Sequence, residues 1–263
     1  MNDFLIPILL GIIEGITEFL PISSTGHLLI AEHWLGRQSD LFNVVIQAGA
    51  ILAVTLIYRE RLWRLATGLA DAKTRDYAMK LAVAFAITAV LGFAVTKLGF
   101  KLPDSVTPVA WALILGGIWM IGAEALAARR PESIEITWRV AVLVGLAQVV
   151  AGVFPGTSRS AATIFVALLA GTGNRAAATE FAFLVGIPTM FAASGYELIK
   201  SMKAGAVHED WSALAIAFAV SLVTAFAAVK WLLGYIRTHR FTAFAIYRIV
   251  LGIALLIALP AGA

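Results

Sequence analysis

Glu14 and Glu18 stand four residues apart in an otherwise apolar stretch, so on a helix both carboxylates share one face, a turn apart. A lone carboxylate within a membrane costs roughly 2.5–3.5 kcal/mol on insertion scales. Two on one face repel unless they share a proton or a cation. The pair is therefore a candidate metal site, and a candidate source of general-base chemistry. Polar groups continue inward from it through Thr17, Ser23, Ser24, Thr25 and His27. Ser23-Ser24-Thr25 sits where a short second helix should start. Hydroxyls there are natural caps, but a helix N-terminus at depth also binds anions through its backbone N–H groups. His27 follows Ser24 by three residues, near enough on one face to take or hand over a proton. Arg159 breaks into an uncharged run and needs a partner, either one of the glutamates or a phosphate gripped bidentately. The bland readings are carboxylates at headgroup level, hydroxyls that only cap, and a structural ion pair. The inward run of polar groups favours a site for phosphate chemistry.

The elements that must position these groups lie in a membrane. Of 263 residues, 60% are hydrophobic and 14% charged, against about 25% charged in soluble domains, and mean hydropathy is +0.89. Uncharged runs at Leu41–Tyr58, Ser105–Ala123, Val140–Ser158 and Trp211–Val229 reach or approach the ~20 residues that cross a ~30 Å hydrocarbon layer. Soluble enzymes, nucleic-acid binders and disordered chains are excluded. The net charge of +4 comes from basic residues at span ends, as topology requires. There is no cysteine, so thiol chemistry and Cys-based zinc sites are absent. The N-terminus lacks the basic region of a cleaved signal peptide, and the first apolar stretch is expected to stay in the mature protein.

The expected fold is an all-α polytopic membrane protein with one membrane domain over 1–263. Full spans are predicted at about 41–58, 77–99, 106–128, 176–198, 211–234 and 242–260. Two further apolar regions, 4–36 and 137–172, break at Pro21 and Pro155, each followed by small hydroxyl residues. Their halves are too short to cross, which predicts two re-entrant helical hairpins. Gly11–Ile30 aligns without gaps on Gly145–Ile164, pairing Pro21 with Pro155 and Ser24 with Ser158. Each copy precedes three spans, giving inverted repeats over about 1–128 and 137–260 whose broken helices face each other near the midplane. The shared positions make the break. Glu18, Thr25, Arg159 and His27, by contrast, have no like residue in the other copy, and groups the scaffold does not need twice are the better reagent candidates.

Eleven basic residues gather on one face (Arg59, Arg61, Arg64, Lys73, Arg75, Arg129, Arg130, Arg139, Arg175, Arg237, Arg240), against Arg37, Lys97, Lys101, Lys200 and Lys203 on the other. The positive-inside rule makes the first face cytoplasmic and puts both termini outside. Glu124, Glu180, Lys230 and Arg248 read as interhelical pairs or snorkelling ends, and Gln47 and Tyr247 as residues that could line a cavity. Trp34, Tyr58, Trp63, Trp211 and Tyr235 read as interface-belt residues.

The residues Glu14-x3-Glu18-Phe19-Leu20-Pro21-x-Ser23-Ser24-Thr25-Gly26-His27-Leu28 and Pro155-Gly156-x-Ser158-Arg159-Ser160-x2-Thr163 resemble the undecaprenyl-pyrophosphate phosphatase family, integral membrane enzymes linked to bacitracin resistance. The resemblance continues through Phe42-x-Val44-Val45-Ile46-Gln47 and Phe244-Ala245-Ile246-Tyr247-Arg248, across essentially the whole chain and with no departure at a motif position. It implies hydrolysis of C55 isoprenyl diphosphate to the monophosphate carrier used for peptidoglycan. It also implies a divalent cation, magnesium or calcium, in the bacterial plasma membrane, with a site opening to the outer, periplasmic side. Ser23, Thr25, Gly26, Gly156, Ser158, Ser160, Thr163 and Gln47 become the expected substrate-binding residues. The phosphatidic-acid phosphatase pattern is not met: Ala123 stands where it needs Lys before Arg130-Pro131, and Phe165 where it needs His.

The expected mechanism has Arg159 and the facing helix termini hold the diphosphate, while Glu14 and Glu18 hold the metal or polarise the attacking hydroxyl. Ser24 attacks with His27 moving the proton; His27 itself or water as nucleophile stays open. The rival from another class is a transporter or flippase of isoprenyl phosphates, because inverted repeats with broken helices are transporter architecture. A scaffold role leaves ionisable groups at depth unexplained. The expected partners are the lipid substrate and the bilayer, with no nucleic acid. The oligomeric state is open, a homo-oligomer included.

Overall fold

The computed structural model describes residues 4–98, 106–203 and 210–258. Within these the chain forms eleven helices: α1 Leu5–Thr17, α2 Ser24–Leu35, α3 Asp40–Ile57, α4 Arg59–Thr67, α5 Ala72–Lys97, α6 Val106–Ala127, α7 Trp138–Val153, α8 Arg159–Ala170, α9 Arg175–Lys203, α10 Trp211–Tyr235 and α11 Thr242–Ala258. Five of them (α3, α5, α6, α9 and α10) are long and apolar enough to cross a membrane. The sixth expected span is α11, apolar but 17 residues long within the described part. Residues 99 and 259–260 of the expected spans, and Lys101, lie outside the described residues.

The two regions expected to break do break. α1 and α2 are 13 and 12 residues, α7 and α8 are 16 and 12, and each is shorter than a crossing requires. Helix α4 was not expected from the sequence. It carries Arg59, Arg61 and Arg64, exposes Trp63 and buries only Leu65, the pattern of a short helix lying at an interface.

Packing is crosswise. α1 packs on α10 and α7 on α5, while α6 packs on α11 and α3 on α9. Glycines set two of these approaches: a Cβ on Gly11 would stand 2.7 Å from the Ala217 carbonyl oxygen of α10, and one on Gly145 would stand 2.7 Å from that of Ala84 in α5. These helices touch backbone to backbone, as small-residue interfaces in membranes do. The largest core cluster lies among α3, α7, α8 and α9, with Phe165 and Phe181 fully buried. Phe19, in the first break, meets Phe183 of α9 edge-on at 5.2 Å between ring centroids.

Two basic residues link neighbouring helices. Lys80 near the start of α5 sits over Trp138 at the start of α7. Arg61 of α4 pairs with Glu180 of α9 at 2.9 Å and lies over Tyr77 of α5. Of the expected belt residues, Trp34, Trp63 and Trp211 are exposed, but Tyr58 is buried in the core, where it caps the junction between α3 and α4.

Candidate functional site

Each break ends in the same device. Ser23 caps α2 and Ser158 caps α8. Both take positive φ, 74° and 67°, a region an L-residue enters only when its surroundings hold it there. The Ser23 side chain accepts from the Gly26 N–H at 3.4 Å, and that of Ser158 from the Ala161 N–H at 3.3 Å. The structure thus matches Ser158 to Ser23, where the gapless alignment matches it to Ser24. The second break holds one more residue between its proline and its cap, and Gly156 absorbs the turn at φ +92°. A Cβ there would meet the Val109 carbonyl oxygen at 2.8 Å. After the corrected match, the first residues of the two helices are Ser24 and Arg159.

These two converge on one carboxylate. The Ser24 hydroxyl donates to Glu18 Oε2, and Arg159 Nη2 donates to Glu18 Oε1 at 2.7 Å. Glu18 is 7% exposed and Glu14 is 1% exposed. The Glu18 N–H donates to the Glu14 carbonyl at 2.9 Å, and Glu14 leaves its own Oε2 buried with no hydrogen-bond partner among the described residues. Four of the five expected catalytic residues therefore meet. The fifth, His27, is turned elsewhere: Nδ1–H donates to the Ser23 carbonyl at 2.7 Å, and Nε2 accepts from the Tyr247 hydroxyl at 2.7 Å. A carbonyl only accepts, which fixes the tautomer. The Tyr247 ring stacks on the imidazole at 5.6 Å.

The expected binding residues divide. Ser160 crosses between the breaks, its hydroxyl donating to the Leu20 carbonyl at 3.0 Å and meeting Ser158 Oγ at 3.1 Å. Thr163 is buried and donates to the carbonyls of Arg159 and Ser160. Gly26 is buried in the first turn of α2, Thr25 is exposed, and Gln47 lies half-buried on α3.

One residue ranked low by sequence proves central to the geometry. Arg248 of α11 is fully buried, yet its partners are carbonyls. Nη1 donates to Thr157 at 3.0 Å and reaches Pro21 at 3.4 Å, while Nη2 donates to Gly156 at 2.9 Å and to Ala112 at 3.2 Å. It ties the two breaks together. The signals for it in the sequence were a full charge in an apolar helix, beside the expected cavity residue Tyr247, and its place in the C-terminal stretch that carries the family resemblance.

Among the described residues no group of three or more His, Cys, Asp or Glu is poised to hold a metal. Two carboxylates with one oxygen unpartnered still suit a hard cation, because magnesium commonly takes one or two carboxylates and completes its shell with substrate phosphates.

The chain matches the family described as bacitracin resistance protein BacA over residues 7–254. It is similar to proteins named undecaprenyl-diphosphatase from Rhizobium etli, 72% identical across 97% of this chain and 96% of the relative. Those from Rhizobium johnstonii are 71% identical over the same shares. Those from Xanthomonas oryzae pv. oryzae are 62% identical over the whole of both chains.

Proposed function

The chain belongs to the bacitracin resistance protein BacA family, and from that premise we propose where and how it hydrolyses undecaprenyl diphosphate to undecaprenyl phosphate and orthophosphate. The site is the cluster of Glu14, Glu18, Ser24 and Arg159. The observation that carries the reading is the double contact on Glu18, which takes the Ser24 hydroxyl on one oxygen and Arg159 on the other. A carboxylate that accepts a hydroxyl proton is placed to remove it.

Arg159 and the first turns of α2 and α8 receive the diphosphate. Arg159 can leave Glu18 for a phosphate because its fork suits either anion. The Ser24 oxygen attacks the terminal phosphorus as its proton passes to Glu18, the bond to the bridging oxygen breaks, and undecaprenyl phosphate departs. Water then cleaves the phosphoserine, releasing orthophosphate and restoring Ser24. His27, held by Ser23 and Tyr247, stands at the rim as the proton carrier for this second step. Glu14 and Glu18 would hold a magnesium or calcium ion, whose charge offsets that of the diphosphate. A labelled phosphoryl group trapped on Ser24 supports this order of events; one trapped on His27 gives that residue the nucleophile's role.

We further infer that the fold consists of two inverted copies, about 1–128 and 137–260, each a re-entrant hairpin followed by three spans. The crosswise packing of α1 on α10 and α7 on α5 supports this. With the arginine-rich ends in the cytoplasm, the site opens outward from the bacterial plasma membrane and both termini lie outside. The chain has no cysteine, so single cysteines test the orientation without background. On intact spheroplasts Ser201→Cys should react with an impermeant reagent and Gly68→Cys should not; the opposite pattern reverses the orientation.

The same crosswise symmetry favours a second reading, a carrier of isoprenyl phosphates. Orthophosphate release by purified protein in detergent, measured with and without chelator, separates the two, since transport needs two compartments and hydrolysis does not.

A further inference from the structure

At the end of α8 away from Arg159 lies a cavity of about 380 Å³ that shares no residue with the cluster just described. Leu168 in its wall is nine residues along the helix from Arg159, or about 14 Å at 1.5 Å per residue. Its polar lining is Glu124, Arg130, Glu132, Asn174, Arg175 and Arg237.

The wall is firmly built. The connector after α6 is strapped to the turn before α9: the Asn174 N–H donates to the Ser133 carbonyl at 3.0 Å, and the Thr172 hydroxyl donates to that of Glu135 at 2.8 Å. Arg130 donates to the Leu169 carbonyl at the end of α8.

The acids there are already used. Glu124 is 4% exposed. One of its oxygens accepts from Arg175 Nε at 2.9 Å and from the Phe241 N–H at 3.1 Å, and the other accepts from the Thr242 hydroxyl. Glu132 accepts from the Asn174 amide at 2.6 Å. The bases are not used up. Glu124 holds Arg175 through Nε alone, so both terminal nitrogens of its guanidinium are without a protein partner among the described residues, and Arg237 has none there either. Glu124 anchors the arginine by its Nε and leaves both terminal nitrogens at the cavity wall, available to a second anion. α9 also begins at Arg175, so the positive end of a 29-residue helix faces the same space.

We propose that this cavity is a second anion site, which binds a phosphate group carried by an anionic phospholipid or by free phosphate. On the orientation proposed above it opens at the cytoplasmic face, opposite the hydrolytic site. Guanidinium groups held at a helix start are the recognised chemistry for phosphate oxygens.

The test uses the full chain purified in detergent, with two probes: phosphatidylglycerol, compared with phosphatidylcholine, by native mass spectrometry, and inorganic phosphate by thermal shift. Arg237→Gln breaks no hydrogen bond or ion pair among the described residues, and Arg175→Lys keeps the charge beside Glu124 while removing the fork. Each variant should weaken binding of the true probe by about tenfold, the scale of one charge-assisted contact, with orthophosphate release in the absence of the probe unchanged. Because phosphate also reaches the hydrolytic site, the difference between wild type and variant is the readout. A difference for phosphatidylglycerol identifies a lipid headgroup, and a difference for inorganic phosphate alone identifies the free ion. Equal binding of both probes by wild type and Arg237→Gln overturns the proposal.

Discussion

The break before α2 and the break before α8 share a scaffold and differ in their reagents. Both come after a helix whose glycine lies against the backbone of a long helix, both contain a proline, and both end in a serine of positive φ that caps the next helix. Beyond that they diverge. The first has Glu14, Glu18, Ser24 and His27; the second has Gln148, Gly152, Arg159 and Ala162 at the matching places. Gln148 is as buried as Glu14 and binds Thr88 at 3.3 Å, an uncharged version of the same position. The arrangement that bends the chain occurs twice, and the polar side chains are divided: the first break carries the carboxylates and the Ser24 hydroxyl, the second the Arg159 guanidinium.

The comparison breaks if matched changes in the two copies have matched effects. Ser24→Ala should fall to background in orthophosphate release, whereas Ser158→Ala, which removes a cap and the contact with the Ser160 hydroxyl, should lose about 1–2 kcal/mol of stability and stay within a few-fold of wild-type turnover. Next in size, Glu18→Gln should lower kcat by roughly 10²–10⁴-fold, the range for a general base, and should weaken the response to a chelator. Gln148→Glu should leave turnover per folded molecule within a few-fold while costing roughly 2.5–3.5 kcal/mol in a thermal or denaturant measurement, as an added carboxylate at depth does. Arg159→Lys should reduce kcat/KM by more than about tenfold, because the planar fork is lost and the charge kept. The smallest loss expected among the changes at the site itself is that of Tyr247→Phe: the hydrogen bond to His27 goes and the ring stays, so the rate should drop by about two- to tenfold, the scale of one hydrogen bond.

Much of this was legible in the sequence. Four-residue spacing put Glu14 and Glu18 on one face, and an arginine at depth demanded a carboxylate or a phosphate, which the structure supplies as Glu18. The breaks and the long spans could be read from proline placement and run length. The register of the second break could not, because a gapless alignment cannot reveal one extra residue absorbed by Gly156 at positive φ. Nor could the partners of His27. Three-residue spacing placed it by Ser24, but Ser24 begins its helix and its hydroxyl turns back toward Glu18. His27, one turn on, instead reaches the carbonyl of the cap. The place of Arg248 was least legible, since no local pattern says that a residue so far along the chain lies between two breaks.

Arg248 also sets an order of events at the ribosome. The groups that would touch phosphate are all present once α8 has been made, but the clasp on Pro21, Gly156 and Thr157 arrives only with α11, 89 residues after Arg159. At about 5–20 residues per second that is a delay of roughly 4–18 s. Through that interval the growing chain sits in the bilayer with its reagents made and its geometry open. On the mechanism proposed above, hydrolysis waits for the last described helix, and a chain cut short before it would carry the reagents without the clasp that sets them.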